Sequence, residues 1–214
     1  LVDSPPEGDR EADSASLYQA LRTSSKLAAA LSNTEDARRW HESSAELQRA
    51  FISSSDESRD RLACVDAVLF GLADAETARE ACLSLSDDAL EACYCPSRFH
   101  NVLQVMAKLE MNTEALDLIR NFWGWMLNHG ATTWWVTHMV GDDDPVEGSL
   151  CCGASAAPTY FLPAEILGVK PSTAGAVTIQ PRVADLAWAK GHIKTPAGYV
   201  DVEWHSTTEV SGSE

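Results

Sequence analysis

The residues of this chain whose types and spacing could do chemistry gather between Gly130 and Ala154. Gly130-Ala-Thr-Thr-Trp-Trp-Val136 sets two hydroxyls and two indoles directly behind a run of helical periodicity, where a short polar turn would suffice. Flat indole faces match the apolar face of a pyranose; equally, a tryptophan buries a large area in any core or between domains. His138 follows, and then Asp142, Asp143 and Asp144, three carboxylates in a row that could move a proton. A surface histidine and a solvated acidic turn are the preferred readings of these four. Cys151-Cys152 and Cys93-Tyr-Cys95 lack the two-residue gap of zinc knuckles and redox motifs. Cys64 and Cys82 lie in apolar, helical stretches, where a free thiol behaves as a small hydrophobe. Reduced structural cysteines are therefore preferred, with disulfides second and a metal site third.

The elements around these residues need a frame, and composition bounds it. The chain has 214 residues, 45% hydrophobic, enough to bury a core. Its formal charge of −16 and pI near 4.6 argue against nucleic acid or an anionic membrane surface as partners, since both select basic patches. No apolar run reaches the roughly 18 residues of a membrane-spanning helix. The opening "LVDSPPEGDREADS" lacks the basic start and apolar stretch of a signal peptide. It reads like a chain already inside a domain, so a piece of a larger protein is expected.

Helical pairs fill the first part. Residues 16–53 predict two antiparallel helices, the first with Leu17, Leu21, Leu27 and Leu31 on its stripe, the second opening on Asn33-Thr34 with Glu35 and Asp36 in its first turn. Trp40, Leu47 and Phe51 share a face of that second helix. "RLACVDAVLFGLA" and "DAETAREACLSL" predict two shorter helices, one ending near Gly71 and one capped by Asp74. "RFHNVLQVMAKLEM" and "NTEALDLIRNFWGWMLNHG" form a further pair, the latter repeating the Asn-Thr-Glu start and stopping at Gly130. Trp123 and Trp125 read as core. A last helix is expected in "CCGASAAPTYFLPAEILGV", interrupted or started at Pro158 or Pro163. Periodicity then changes to two: "AVTIQP", "DLAWAKGHIKTP" and "GYVDVEW" predict short strands, with Thr195-Pro-Ala-Gly198 as a hairpin turn and Trp188 and Trp204 packing between sheets.

These words in this order, "LVDSPPEG", "AVLFGLAD", "EALDLIRNFWGWMLNHGATTWW", "APTYFLPAEILGVKP" and "VTIQPRVADLAWAKGHIKTPAGYVDVEW", resemble the C-terminal part of bacterial-type α-L-rhamnosidases, glycoside hydrolase family 78. The resemblance covers nearly the whole chain and is strongest from Asn112 to Trp204. It implies a mainly α fold, with 1–168 the later helices of an (α/α)6 toroid and 169–214 a small C-terminal antiparallel β-sandwich segment ending in a tail of disordered composition. It implies inverting hydrolysis of terminal α-L-rhamnosides, with no organic cofactor and no catalytic metal. Inversion needs one carboxylic acid to protonate the leaving oxygen and one carboxylate, about 6.5–9.5 Å away, to activate water. In the family the acid lies in an earlier segment, which these residues do not include, and the base is the Glu of a "GATT-aromatic-W-E" motif. Here Val136 stands at that position.

Other departures are of the same kind. Family "LVDW" reads Leu1-Val2-Asp3-Ser4, and "S-x-C-H-x-W" reads Ser149-Leu-Cys-Cys-Gly-Ala154, so Cys152 replaces a histidine and Ala154 a tryptophan. Asp66 stands about where a tryptophan is usual. Framework words survive and cleft words decay. Trp134, Trp135, Cys152 and Asp3 are the residues the resemblance assigns to the sugar, with Trp135 the better cleft candidate of the two tryptophans and Trp134 read first as structural. None is catalytic, and the partners implied are a rhamnoside-type carbohydrate and either the rest of the toroid or a second copy. The readings carried forward are a rhamnosidase portion without catalytic competence, a non-catalytic carbohydrate-binding or scaffold relative, and, third, a helical interaction module unrelated to sugars.

Overall fold

Asn33 makes the first bend. Its side-chain oxygen accepts the Asp36 N–H at 3.3 Å, its carbonyl takes the Ala37 N–H at 3.1 Å, and Ser32 before it adopts φ 61°. This is the N-cap that Asn supplies well, and it joins helix α1 (Glu7–Ala30) to α2 (Thr34–Ser53). The computed structural model describes residues 7–53, 61–73, 75–83, 99–136, 149–172, 176–195 and 198–207. Asp3, Ser4, Asp74, Cys93, Cys95, His138, Asp142, Asp143 and Asp144, all singled out above, lie outside those residues. The chain divides into two units, Leu1–Ser86 and Asp87–Glu214.

In the first unit α1 and α2 pack together, and α1 also meets α3 (Arg61–Phe70), which is followed by α4 (Ala75–Leu83). Its core is Ala15, Tyr18, Phe51, Ala67 and Leu72, with Leu47 and Phe70 at the margin. The face of α1 that is buried differs from the expected leucine stripe. Ala15, Tyr18 and Ala28 are inside, while Leu17, Leu27 and Leu31 are 53%, 60% and 72% exposed. Small residues let the α2 backbone come close, and the Ser25 hydroxyl reaches the Ala37 carbonyl across that seam at 2.8 Å. The leucines are left on an adjoining stripe, outward.

The second unit is built on α5 (Phe99–Lys108) and α6 (Asn112–Asn128). Phe99, Phe122 and Trp123 pack together with centroids 4.7–6.1 Å apart, the two phenylalanines tilted and each edge to face with Trp123, all 1% exposed or less. Each such side chain contributes about 1.5–3 kcal/mol on burial. The Asn112-Thr113-Glu114 start behaves differently from its twin at Asn33: Met111 is the cap residue, without a side-chain bond, and the Asn112 amide turns back to the Glu110 carbonyl at 3.3 Å. At the other end Gly130, at φ 85°, lets its N–H reach Leu127 O and the Ala131 N–H reach Met126 O, both at 3.0 Å. That pair is the Schellman closure, and Gly130 stops the helix as the sequence predicts.

A 3-10 turn (Gly153–Ser155), the short helix α7 (Ala157–Phe161) and a π turn (Leu162–Ile166) follow. Pro163 has no N–H to give the preceding turn, and the turn widens so that the Leu167 N–H bonds Leu162 O at 2.8 Å. The Ile166 carbonyl, left open where the helix ends, takes Trp204 Nε1 at 3.2 Å and the Arg182 N–H at 3.4 Å. The change from helix to strand falls at Gly168. Strand β1 (Val169–Pro171) pairs antiparallel with β2 (Val177–Ile179), and β3 (Trp188–Thr195) with β4 (Gly198–His205), Thr195 opposite Gly198 as the hairpin reading requires. Residues 196–197 of that turn lie outside the described ones. The two ladders share one cluster, Leu167, Val169 and Val202 with Val177, Ile193 and Trp204 beside them. Trp188 corrects the expectation: it sits on the outward register of β3 and is 58% exposed, whereas Trp204 faces in. Among the described residues no strand occurs before Val169.

Arg120 ties α6 to the turn before β3 by a bidentate pair with Asp185, at 2.7 and 3.0 Å, and also holds Asp117 at 2.9 Å. The Arg120 hydrogen bond is the main cause holding the Asp185 carboxyl below the usual range. Both partners are more than a third exposed, which keeps the contribution small.

Two outcomes follow from this packing. Gly168 and Gly130 both have φ near +80°, yet a Cβ at Gly168 would lie 2.3 Å from the Gln180 and Pro181 backbone, and one at Gly130 would meet nothing. In urea unfolding Gly130→Ala should cost about 1–2 kcal/mol, and Gly168→Ala clearly more, because backbone and not a side-chain tip blocks it. The outward leucines should make the chain self-associate. Sedimentation should show species heavier than 23.2 kDa that shift toward monomer in the double variant Leu27→Gln, Leu31→Gln; a cooperatively unfolding wild-type monomer would contradict this.

Candidate functional site

The Schellman closure turns the chain out of α6 into Thr133–Val136, and this segment meets 149–152 antiparallel. The Val136 N–H donates to Ser149 O at 2.9 Å and the Cys152 N–H to Trp134 O at 2.8 Å. The Thr133 hydroxyl donates to the Leu150 carbonyl. Ser149 stabilises its own side of the pairing, its hydroxyl donating to Cys151 O at 2.9 Å and accepting the Cys151 N–H at 3.2 Å. Two sequence words separated by residues 137–148 therefore form one rim. Val136 and Cys152, read separately as replacements of a glutamate and a histidine, stand on neighbouring backbones.

Behind that rim, Trp123 Nε1 donates to the buried Ser155 carbonyl at 2.8 Å, pinning the 3-10 turn to α6. Trp135 points inward, 6% exposed and edge-on to Trp125 with centroids 6.1 Å apart. Trp125 in turn stacks on His129 at 3.9 Å. Trp134 is half-buried, and its Nε1 donates to the Thr159 hydroxyl at 3.2 Å. Trp134 thus presents the more accessible indole of the pair. Val136 is half-buried and Ala154 exposed. Residues 130–136 and 149–164 contain no Asp or Glu, so these stretches offer no carboxylate to take a proton from water.

The rim carries thiols instead. Cys82, Cys151 and Cys152 carry free thiols, the last two on the rim. The Ser155 hydroxyl is buried and makes no hydrogen bond of strict geometry. Its proximity, first, and the Ser155 and Ala154 amides hold the Cys152 thiol below its ordinary range. Burial does the opposite to Cys82, whose thiol is raised to about 11 against a weaker pull from Arg79. Among the described residues no cluster of three His, Cys, Asp or Glu side chains could hold a metal ion, and no helix is long and apolar enough to cross a membrane.

A second feature escaped the sequence reading. A cavity of about 150 Å³ opens between α5, α7 and β1, lined by Gln104, Lys108, Tyr160, Glu165, Lys170 and Arg182, with Phe161 at its floor. Glu165, whose side chain is 12% exposed, binds both Lys170 Nζ at 2.7 Å and Arg182 Nε at 3.1 Å through one oxygen. The π turn and the bend at Gly168 bring these three together, and neither is written in a periodicity. The one available signal was a cationic pair, Lys170 and Arg182, in a strongly acidic chain.

As a sequence the chain matches no family model and no curated protein. As a structure it is similar to the crystal structure of the GH78 family rhamnosidase of Bacillus sp. GL1, with a TM-score of 0.69 and 27% identity. The match covers 90% of this chain and 23% of that one. The chain spans about a quarter of that enzyme's length, and over it is GH78-like: mainly helical, with a small antiparallel strand region at its C-terminal end.

The opposed thiol environments predict a labelling order. With Ellman's reagent at pH 8, Cys151 and Cys152 should react in the first phase. Cys82, buried and with its thiol raised to about 11, should react about 100-fold more slowly, since thiolate is the attacking form. Ser155→Ala should slow Cys152 and leave Cys151 unchanged, which mass spectrometry of the labelled peptides would show.

Proposed function

We propose that this chain is the C-terminal portion of an α-L-rhamnosidase-like inverting glycoside hydrolase, its helices forming part of an (α/α)6 toroid, without catalytic competence of its own. Support comes from one observation above the others: the two words that would build the sugar cleft lie side by side on the rim, and both have lost their polar chemistry. Val136 stands where a base would take a proton from water, and valine has no acceptor. Cys152 and Ala154 stand beside it where a histidine and a tryptophan would meet the sugar. The backbone pairing that presents them is intact. A glycoside hydrolase-like neighbour at 27% identity supports a carbohydrate as the kind of ligand.

The half-exposed Trp134 favours a second reading, a non-catalytic relative that still binds carbohydrate. Its indole is held by Thr159 and only half-buried, which leaves part of the ring for stacking. Asp3 and Trp135 complete the residues assigned to the sugar on the resemblance. Sugar binding without turnover would select this reading, and absence of both would select the first.

The chain should not hydrolyse an aryl α-L-rhamnoside, and Val136→Glu should not restore activity. A general acid and a general base each contribute about 10²–10⁴-fold, and the change returns one of them. It also returns none of the sugar contacts, each worth about 1–3 kcal/mol when a buried partner is lost. Release of the chromogenic aglycone would be followed for wild type and Val136→Glu beside an unrelated protein. Wild-type turnover above that control would mean another carboxylate serves as base. Turnover by Val136→Glu alone would mean the rest of the cleft is whole.

A further inference from the structure

The cavity between α5, α7 and β1 has the wrong charge for its surroundings. The chain carries 32 acidic and 16 basic side chains, so a chance cleft should be acidic. Among its lining residues Lys170 and Arg182 meet the single carboxylate Glu165, two positive charges to one negative. The excess is concentrated at partly desolvated groups: the Arg182 side chain is 20% exposed and that of Lys170 36%. A structural ion pair inside a protein is balanced, because each uncompensated charge there is costly to desolvate. Here one carboxylate oxygen serves two cations.

The geometry leaves donors over. Arg182 meets Glu165 through Nε, so its two terminal NH₂ groups have no partner among the described residues. Lys170 gives one of its three N–H bonds to Glu165. The Gln104 amide and the Tyr160 hydroxyl line the same walls, the tyrosine steadied by an edge contact with His100 at 5.9 Å. Two guanidinium NH₂ groups in a fixed fork, an ammonium and neutral donors are the set that grips the oxygens of phosphate or sulfate. At about 150 Å³ the cavity admits such an ion with a few waters, each occupying about 30 Å³, and excludes a nucleotide.

We propose that this cavity binds a phosphate-sized oxyanion, free or as the phosphate of a small sugar ester, held by Arg182 and Lys170 with Glu165 as the internal counter-charge that orients both. Residues 130–136 and 149–152 take no part in it, so it stands whatever the rim does.

The test is isothermal titration of the full 214-residue chain with inorganic phosphate, chloride making up constant ionic strength so that screening is unchanged. Saturable one-to-one binding is expected at millimolar concentration, weakened at least about tenfold in Arg182→Gln. Glu165→Gln is the sharper variant, because it removes the competing carboxylate and leaves both cations uncompensated. It should lower Tm without phosphate, regain most of that loss when phosphate is added, and bind phosphate at least about tenfold more tightly than wild type. The pair Arg182→Gln, Glu165→Gln should lose this rescue, which covers the case in which Arg182→Gln alone folds poorly. Glucose 1-phosphate in a parallel arm tells the sources apart: competition with phosphate points to an ester, and failure to compete to the free ion, either one supporting the site. An adventitious cluster or a purely structural triad would give no saturation in wild type and no phosphate rescue of Glu165→Gln, and that result would overturn the proposal.

Discussion

The hydrogen bond from Trp123 Nε1 to the Ser155 carbonyl holds the second unit's architecture together. It is made inside the Phe99, Phe122 and Trp123 cluster, where an unpaired indole N–H or carbonyl would be costly to bury. On one side it is anchored in the two helices that build the core. On the other it fixes the 3-10 turn, and through it the position of Cys152 and the start of α7. Because 149–152 is held there, Thr133–Val136 can pair with it as the chain leaves α6. The rim therefore depends on a bond that no rim residue makes. It makes no use of the side chains of Val136, Cys152 or Ala154, so the shape of the segment does not depend on what those positions carry.

The π turn plays the corresponding part for the cationic cavity. Pro163 forces the helix to widen, the register of the following residues shifts, and Gly168 turns the chain sharply into β1. Glu165 is thereby set facing Lys170, five residues on, and Arg182, which arrives from beyond β2. The Ile166 carbonyl at the end of the turn is taken up by Trp204, which docks β4 onto the same element. One backbone irregularity so positions a charged cluster and joins the strands to the helices. The short helix α7 connects the two features, offering Thr159 to Trp134 and Tyr160 to the cavity.

The local words of the sequence were reliable where the partner was local. Asn33 caps α2, Gly130 closes α6, and Thr195 faces Gly198, because each outcome is settled within a few residues. The same word failed at Asn112, where burial beside Met111 leaves the amide no cap geometry and its oxygen without a partner. The leucines of α1 misled for a related reason. Periodicity identifies a stripe but not which of two adjoining stripes a neighbour covers, and the close α2 contact selected Ala15, Tyr18 and Ala28 instead. Trp188 was misplaced by a single step of strand register, since alternate residues face opposite ways.

The sequence by itself determined the change from helices to antiparallel strands near residue 168, the helix ends, and the family resemblance that the structural likeness to a GH78 rhamnosidase bears out. These depend on backbone preference, short-range capping and the order of framework words, all carried along the chain. Only the tertiary structure decided that the Val136 and Cys152 segments form one rim, that Trp135 turns in while Trp134 stays accessible, and that Lys170 and Arg182 converge on Glu165. Those outcomes rest on contacts between residues far apart in sequence, and on a proline-widened turn whose register no periodicity encodes.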